Sequence, residues 1–262
     1  MSLLERIVRH KRAEVEYARR RLPLDTLRSL LPETDATRDF AAALSGGEAP
    51  RIIAEVKRAS PSRGLLKPEY AKDWQPGRLA QTYRDGGAVA LSVLTDINFF
   101  WGHHDTLSIC KESVSLPVLR KDFIVDAYQV DESRWLGADA LLLIVRLLEE
   151  SDLRLFAARA LELGMTPLVE IHADEELDAA LSVDGAVIGI NHRDLDTLAM
   201  DLTRAERLRP RIPSDRIVVA ESGLSQHDDL VRLSTAGIDA FLVGEHLASS
   251  DDPRAALEDL RK

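Results

Sequence analysis

The chain has 262 residues, 45% hydrophobic and 30% charged, with a formal net charge of −10. That composition is globular and ample for a large core, and the acidic balance excludes nucleic acid as a general partner, because phosphate backbones need clustered Lys and Arg. Cys110 is the single cysteine, so no intrachain disulfide is possible, and no apolar run reaches the ~18 residues of a membrane span; with charges from Glu5 onward opposing a signal peptide, we expect a soluble, cytoplasmic protein without a membrane partner.

Leu4, Ile7, Val8, Val15 and Ala18 fall near helical spacing, which predicts an amphipathic helix over residues 3–21. Seven Lys or Arg against three Glu make this segment basic in an acidic chain, and we read its polar side as a solvated face. Pro23 and Pro32 punctuate the next stretch, and Ser45 to Pro50 reads as a loop. From Arg51 a rhythm sets in. Apolar, β-branched runs begin near Arg51, Ala88, Leu116, Asp139, Met165, Gly185, Arg216 and Asp239, about 20 to 37 residues apart, the span of one strand plus one helix. Several runs are almost wholly apolar, as strands covered on both faces should be. The segments between them read as helices. One begins at Ser151 as N-cap and stops at Gly164; another opens with Ser225 and Asp228 as a loose capping box and stops near Gly237.

Eight strand–helix units in succession predict an α/β fold, a single (β/α)8 TIM barrel. A doubly wound open sheet is the alternative, weakened because no Gly-x-Gly-x-x-Gly follows the first strand. Residues 1–50 are then an N-terminal helical extension packed on a barrel of residues 51–262, one domain overall.

The active site of such a barrel lies at the C-terminal ends of its strands. The polar residues that close the runs are Glu55 and Lys57, then Lys121, Glu170, Asn191 and Glu221. Residues two apart on a strand share a face, so Glu55 and Lys57 point the same way. One buried Lys–Glu pair is more often structural. Five strand ends converging on one mouth are hard to explain so, because burying a charge costs several kcal/mol unless it is paired or used. Glycine turns follow the last two strands, Glu221-Ser222-Gly223 and Val243-Gly244-Glu245. In many barrels these loops bind phosphate through main-chain N–H groups; otherwise they are ordinary turns. Two lysines and several carboxylates suit proton transfers on a phosphorylated carbonyl compound, and equally a Schiff-base lysine.

These segments carry a resemblance. LLERIVRHKRAEV, IIAEVKRASPSRG, ALSVLTD, LPVLRKDFIVDAYQV, GADALLLI, PLVEIH, IGINHRDL, VAESG and FLVGEHL, in this order, resemble the indole-3-glycerol phosphate synthase family over nearly the whole chain. The resemblance implies a carboxy-lyase of tryptophan biosynthesis that needs no cofactor and no metal. Its small phosphorylated substrate is 1-(2-carboxyphenylamino)-1-deoxyribulose 5-phosphate. It further implies Lys121 as general acid, Glu170 as general base, and Lys57 as an anion contact sharing acid duty, oriented by Glu55. Asn191 and Glu221 would hold hydroxyls and the lysines. Ser60, Arg193 and Ser222 match substrate-contacting positions; Gly223, Gly244 and the N–H of Glu245 would take the phosphate; Phe100, Phe123 and Leu142 would wall the anthranilate pocket, with the N-terminal helix covering the mouth. We expect a monomer, with a homodimer as the alternative.

The chain departs from the family pattern at His246, which stands where a small hydroxyl residue is usual, and at His192 and His103, which replace Asn and Ser. Glu245 puts a carboxylate near a predicted anion site, tolerable if its side chain faces solvent. His103-His104-Asp105 reads as a loop rather than a metal cluster, since adjacent residues rarely ligate one ion. His172 is expected to face away from Glu170 and to be structural, and Cys110 to be a small core residue. Two rival functions are another phosphate-binding barrel of the pathway, such as phosphoribosylanthranilate isomerase, and a catalytically silent scaffold.

Overall fold

The structure is a computed structural model and describes every residue except Met1, Ser62 and Asp196. Eight parallel strands close into a barrel: β1 (Ile52–Val56), β2 (Ala90–Leu94), β3 (Val118–Lys121), β4 (Ala140–Ile144), β5 (Thr166–Ile171), β6 (Val187–Asn191), β7 (Val218–Glu221) and β8 (Ala240–Val243). Neighbours in sequence are neighbours in the sheet, and β8 pairs with β1 to close it. Each of the eight apolar runs supplies one strand, and the closed barrel rules out the open doubly wound sheet.

Strand alternation divides the core in two. Ile52, Ala54 and Val56 face the surrounding helices, while Ile53 joins Ala90, Leu119, Ala140, Leu168, Val187, Val219 and Ala240 inside the barrel. Both faces are apolar, which is why the runs lack a polar alternation until the strands reach the C-terminal end.

Residues 3–45 contribute helices α1 (Leu3–Arg21), α2 (Leu24–Leu30) and α3 (Phe40–Ser45). Ser2 and Glu5 form a capping box on α1, each side chain meeting the other's main-chain N–H. Phe40 and Leu44 of α3 are fully buried in the interior cluster. The Arg38 N–H donates to Asp139 at 2.6 Å, and the Arg51 side chain donates to the Gly46 carbonyl at 2.7 Å. Both anchors precede strands, so α3 sits beneath the N-terminal ends of the barrel. Helix α1 lies at the other end, where Lys11 reaches Asp96 and Asp122 just past β2 and β3. Lys11 is only 3% exposed, so the basic face of α1 is not wholly solvated as its sequence suggested.

The barrel helices are α4 (Pro76–Asp85), α5 (Ile97–Phe100), α6 (His104–Ser113), α7 (Tyr128–Trp135), α8 (Glu150–Glu162), α9 (Leu177–Leu181), α10 (Arg204–Leu208), α11 (His227–Thr235), α12 (Glu245–Ala248) and α13 (Pro253–Leu260). Two predicted caps are corrected. The N-cap of α8 is Glu149 rather than Ser151, and that of α11 is Gln226 rather than Ser225; neither side chain caps its helix. The predicted stops hold: Gly164 and Gly237 follow these helices with φ of 76° and 93°. His103 accepts the Asp105 N–H as the N-cap of α6, and His104 opens the helix, so the expected loop contracts to one capping residue. Cys110 is buried in the outer core, where burial pushes its thiol up to about 12. Among the described residues no helix is long and apolar enough to cross a membrane.

Candidate active site

The site is the continuation of the barrel's inward rows. On β1 the row runs Ile53, Glu55, Lys57; on β5 it runs Leu168, Glu170; on β6, Val187, Gly189, Asn191; on β7, Val219, Glu221. The lower layer of each row is apolar and packs the interior, and the upper layer is polar. One cavity at the C-terminal end is lined by Glu55, Lys57, Lys121, Glu170, Asn191 and Glu221, the six residues expected to do chemistry. Ser60, Phe100, Phe123, Leu142, Arg193, Ser222, Gly244 and Glu245 line it too. A second recess continues from it, shares Arg193, Gly244 and Glu245, and adds Gly223 and His246. Every residue singled out as a candidate therefore faces one of these two connected spaces. Of the predicted turn after β1, Ser60 and Pro61 line the cavity, and Ser62 lies outside the described residues.

Lys121 sits at the centre. Its Nζ is 2.5 Å from Glu170 Oε2 and 3.1 Å from Glu221 Oε2. Burial opposes its charge, but Glu170, Glu221 and Glu55 outweigh that, so its pKa is raised and the group is an ammonium at neutral pH. The two glutamates share this one cation and titrate together. Burial and the repulsion of Glu170 push Glu221 well above the ordinary carboxylate range. Burial also works against ionised Glu170, but Lys121 and His172 overcome it and hold its pKa well below the ordinary value. The pair titrates as a unit, with a proton favoured on Glu221 over Glu170. Glu221 Oε1 is buried without a hydrogen-bond partner among the described residues, packed close beside Gly189.

Lys57 and Glu55 form the second pair, Nζ to Oε1 at 2.5 Å. They need Gly244: a Cβ there would lie 2.1 Å from Glu55 Oε1 and 3.0 Å from Lys57 Nζ. This glycine makes room for the ion pair as well as leaving a main chain open to an anion. Ser222 and Gly223 turn the chain after β7 with φ of 68° and 77°. The His192 ring donates to the Ser222 carbonyl, Nδ1 to O at 3.1 Å, so the histidine that replaces the usual Asn braces this turn. Glu245 does not rely on solvent alone: Arg63 pairs with it at 2.9 Å, which neutralises a carboxylate beside the recess.

The opposite wall is apolar. Phe100 and Phe123 stand 6.1 Å apart between ring centroids, with Leu142 and Ile144 beside them and Leu3, Leu4 and Ile7 of α1 closing over. The helix thus covers the mouth, with its own leucines in the lining. Those leucines were missed because a core stripe and a site stripe on a helix have the same spacing. Leu195 and Leu198 were missed as well, lying in an irregular loop without a periodic signal.

His172 corrects an expectation outright. Two residues beyond Glu170, it lies on the same face, not the opposite one. Its Nε2 is 2.6 Å from Glu170 Oε1. The i, i+2 spacing in the sequence is what brings the two side chains together.

The arrangement offers a cationic acid beside an ionised base, a second Lys–Glu pair across the cavity, an apolar slot for a planar ring, and glycine turns for an anion. The family model for indole-3-glycerol phosphate synthase matches residues 4–260. The chain is 44% identical over 259 residues to the indole-3-glycerol phosphate synthase of Legionella pneumophila (strain Paris), covering 99% of this chain and 98% of that one. It is 46% identical to that of Chlorobium chlorochromatii (strain CaD3), covering 98% and 99%. Among solved structures, orotidine 5'-phosphate decarboxylase from Pyrococcus horikoshii OT3 superimposes with a TM-score of 0.60 over 80% of this chain and 96% of that one, at 14% identity, a likeness of fold alone.

Proposed function

The chain belongs to the indole-3-glycerol phosphate synthase family, and on that premise we propose how its residues divide the work. The reaction closes the ring of 1-(2-carboxyphenylamino)-1-deoxyribulose 5-phosphate, with loss of CO2 and water, to give indole-3-glycerol phosphate in L-tryptophan biosynthesis. The ring carbon bearing the carboxylate must attack the ribulose ketone, so negative charge develops on the ketone oxygen. Lys121 is the general acid that meets it, an ammonium held at the cavity centre. Decarboxylation restores the aromatic ring. Glu170 is the general base of the dehydration: it lines the cavity beside Lys121, and Lys121 and His172 favour its ionised form.

Lys57, oriented by Glu55, binds the substrate carboxylate or phosphate and shares the acid steps. Asn191 and Glu221 hold substrate hydroxyls and the lysines; their place in the cavity lining and the Glu221 bond to Lys121 support that role. Ser60, Arg193 and Ser222 contact substrate at the rim. Gly223, Gly244 and the Glu245 N–H take the phosphate, with His246 beside them. Phe100, Phe123 and Leu142 hold the anthranilate ring in the apolar slot. Residues 1–50 act as an extension of the 51–262 barrel; Phe40 and Leu44 in the interior cluster and Leu3, Leu4 and Ile7 at the cavity support that reading. A cytoplasmic location and a monomeric state complete it, and sedimentation of the purified chain at two concentrations checks the latter.

The observation that carries these assignments is Lys121 bonded to two buried carboxylates, Glu170 and Glu221, in a half-apolar cavity. Incubation of the purified protein with the substrate should raise indole fluorescence. No product at any pH around neutrality would sink the reading.

A further inference from the structure

His172 has no part in the roles above, yet it is among the most constrained side chains in the barrel. Its ring is fully buried behind Glu170 and does not line the cavity. Three bonds fix the residue. Nδ1 is 2.8 Å from the main-chain oxygen of Arg193, Nε2 is 2.6 Å from Glu170 Oε1, and its own N–H donates to Glu176 Oε2 at 2.6 Å. Glu176 is itself held by Arg146 at 2.8 Å.

The partners dictate where the protons are. A carbonyl oxygen can only accept, so Nδ1 carries a proton toward Arg193. A neutral ring with its proton on Nδ1 would present a lone pair at Nε2 to the lone pairs of a carboxylate at 2.6 Å, which is repulsive. One further proton therefore lies between Nε2 and Glu170 Oε1. Meanwhile Glu170 Oε2 faces Lys121. The two oxygens of the base are thus split, one toward the buried histidine and one toward the cavity.

We propose that His172 is the positioning residue of the base: its Nε2–H clamps Glu170 Oε1, fixes the rotamer, and keeps Oε2 ionised and turned to the reacting atoms. The inference rests on Glu170 being the base. The charged and titratable groups around the pair are Lys121 from β3, Glu221 from β7, and Glu176 with Arg146 behind the His172 main chain. Lys121, His172 and the Glu221 side chain all favour the ionised base. Losing the histidine proton should move the acid limb of the kcat–pH profile, where Glu170 becomes protonated, to higher pH.

Two amides separate this role from a purely structural one. The Gln amide nitrogen can reach the place of Nε2, and that of Asn the place of Nδ1. His172→Gln thus keeps a donor for Glu170, whereas His172→Asn keeps only the bond to the Arg193 carbonyl. In the full-length protein, His172→Asn should lower kcat about 10–100-fold, the usual loss when the partner orienting a reacting group is removed. KM should change far less, and the acid limb should move up. His172→Gln should recover most of the lost kcat. Equal losses in both variants, or an unmoved acid limb, would reduce His172 to a brace for the Arg193 loop and overturn the proposal. Glu170→Gln run alongside distinguishes the two levels. If it is inactive while His172→Asn is fully active, only the role of His172 falls; if it keeps normal activity, the assignment of the base falls and takes His172 with it.

Discussion

Two buried lysines, Lys11 and Lys121, sit at the same end of the barrel in similar company. Lys11 lies 2.6 Å from Glu14, 3.0 Å from Asp96 and 2.9 Å from Asp122. Lys121 lies 2.5 Å from Glu170 and 3.1 Å from Glu221. Both pKa values are raised although burial works against the charge. The difference lies in what the carboxylates do next. Asp122 spends both oxygens: Oδ1 also accepts the Phe123 N–H at 2.8 Å, and Oδ2 accepts Thr95 at 2.6 Å and Arg120 at 3.1 Å. Glu221 leaves Oε1 unpartnered among the described residues, and its proton affinity is raised rather than lowered. Asp122, with both oxygens bonded, ties α1 to the strand ends; Glu221 bonds Lys121 through one oxygen and leaves the other unbonded among the described residues.

If this contrast is right, the two lysines fail differently when removed. Lys121→Ala should lower kcat by about 10²–10⁴-fold, the contribution of a general acid, with a cooperative melt retained, since the glutamates can share a proton in an open cavity. An unfolded variant would make Lys121 structural, and an active one would move the acid elsewhere. Lys11→Met leaves Asp96 buried without its cation and Asp122 with Arg120 alone. It should cost about 3–5 kcal/mol of stability in denaturant titration while kcat falls far less than in Lys121→Ala. A stable but inactive Lys11→Met would erase the distinction.

A smaller effect sharpens the unsaturated side. A Cβ on Gly189 would lie 2.4 Å from Glu221 Oε1. Gly189→Ala should therefore cost about 1–3 kcal/mol through overpacking, and lower kcat by displacing Glu221 from Lys121. Unchanged kcat would mean the open oxygen is not used.

The smallest expected effect is in acid. Burial alone would raise the Asp122 carboxyl, but Lys11 and Arg120 outweigh it and hold its pKa well below the usual 3.8. A depressed carboxylate contributes stability that is complete above its unfolded value and is lost as pH falls through the lower folded one. Wild type should thus lose stability between about pH 4 and pH 2 more steeply than Lys11→Met, in which Asp122 has lost its main cation. Parallel curves would remove Lys11 from the account.

Strands and site were legible because one physical cause writes both. A strand buried on two faces must be largely apolar until it reaches the mouth, so the polar residues that close five of the runs mark the site. Lys121, Glu170, Asn191 and Glu221 were visible in that way. Helix starts were less so: α8 and α11 begin one residue before and two residues after the serines that seemed to cap them, because packing of the helix face, not the nearest hydroxyl, chose the boundary. Lys11 looked like any other basic residue of a surface helix, since nothing local says that two aspartates from β2 and β3 will meet it.

The sequence by itself determined the strand count, the barrel and the inward rows of polar residues, because burial periodicity is a local property of a chain. Tertiary structure alone decided which of those polar groups share a proton, which are saturated and which stay open. That depends on atoms brought within about 3 Å from strands far apart in the chain, where electrostatic interaction is strongest.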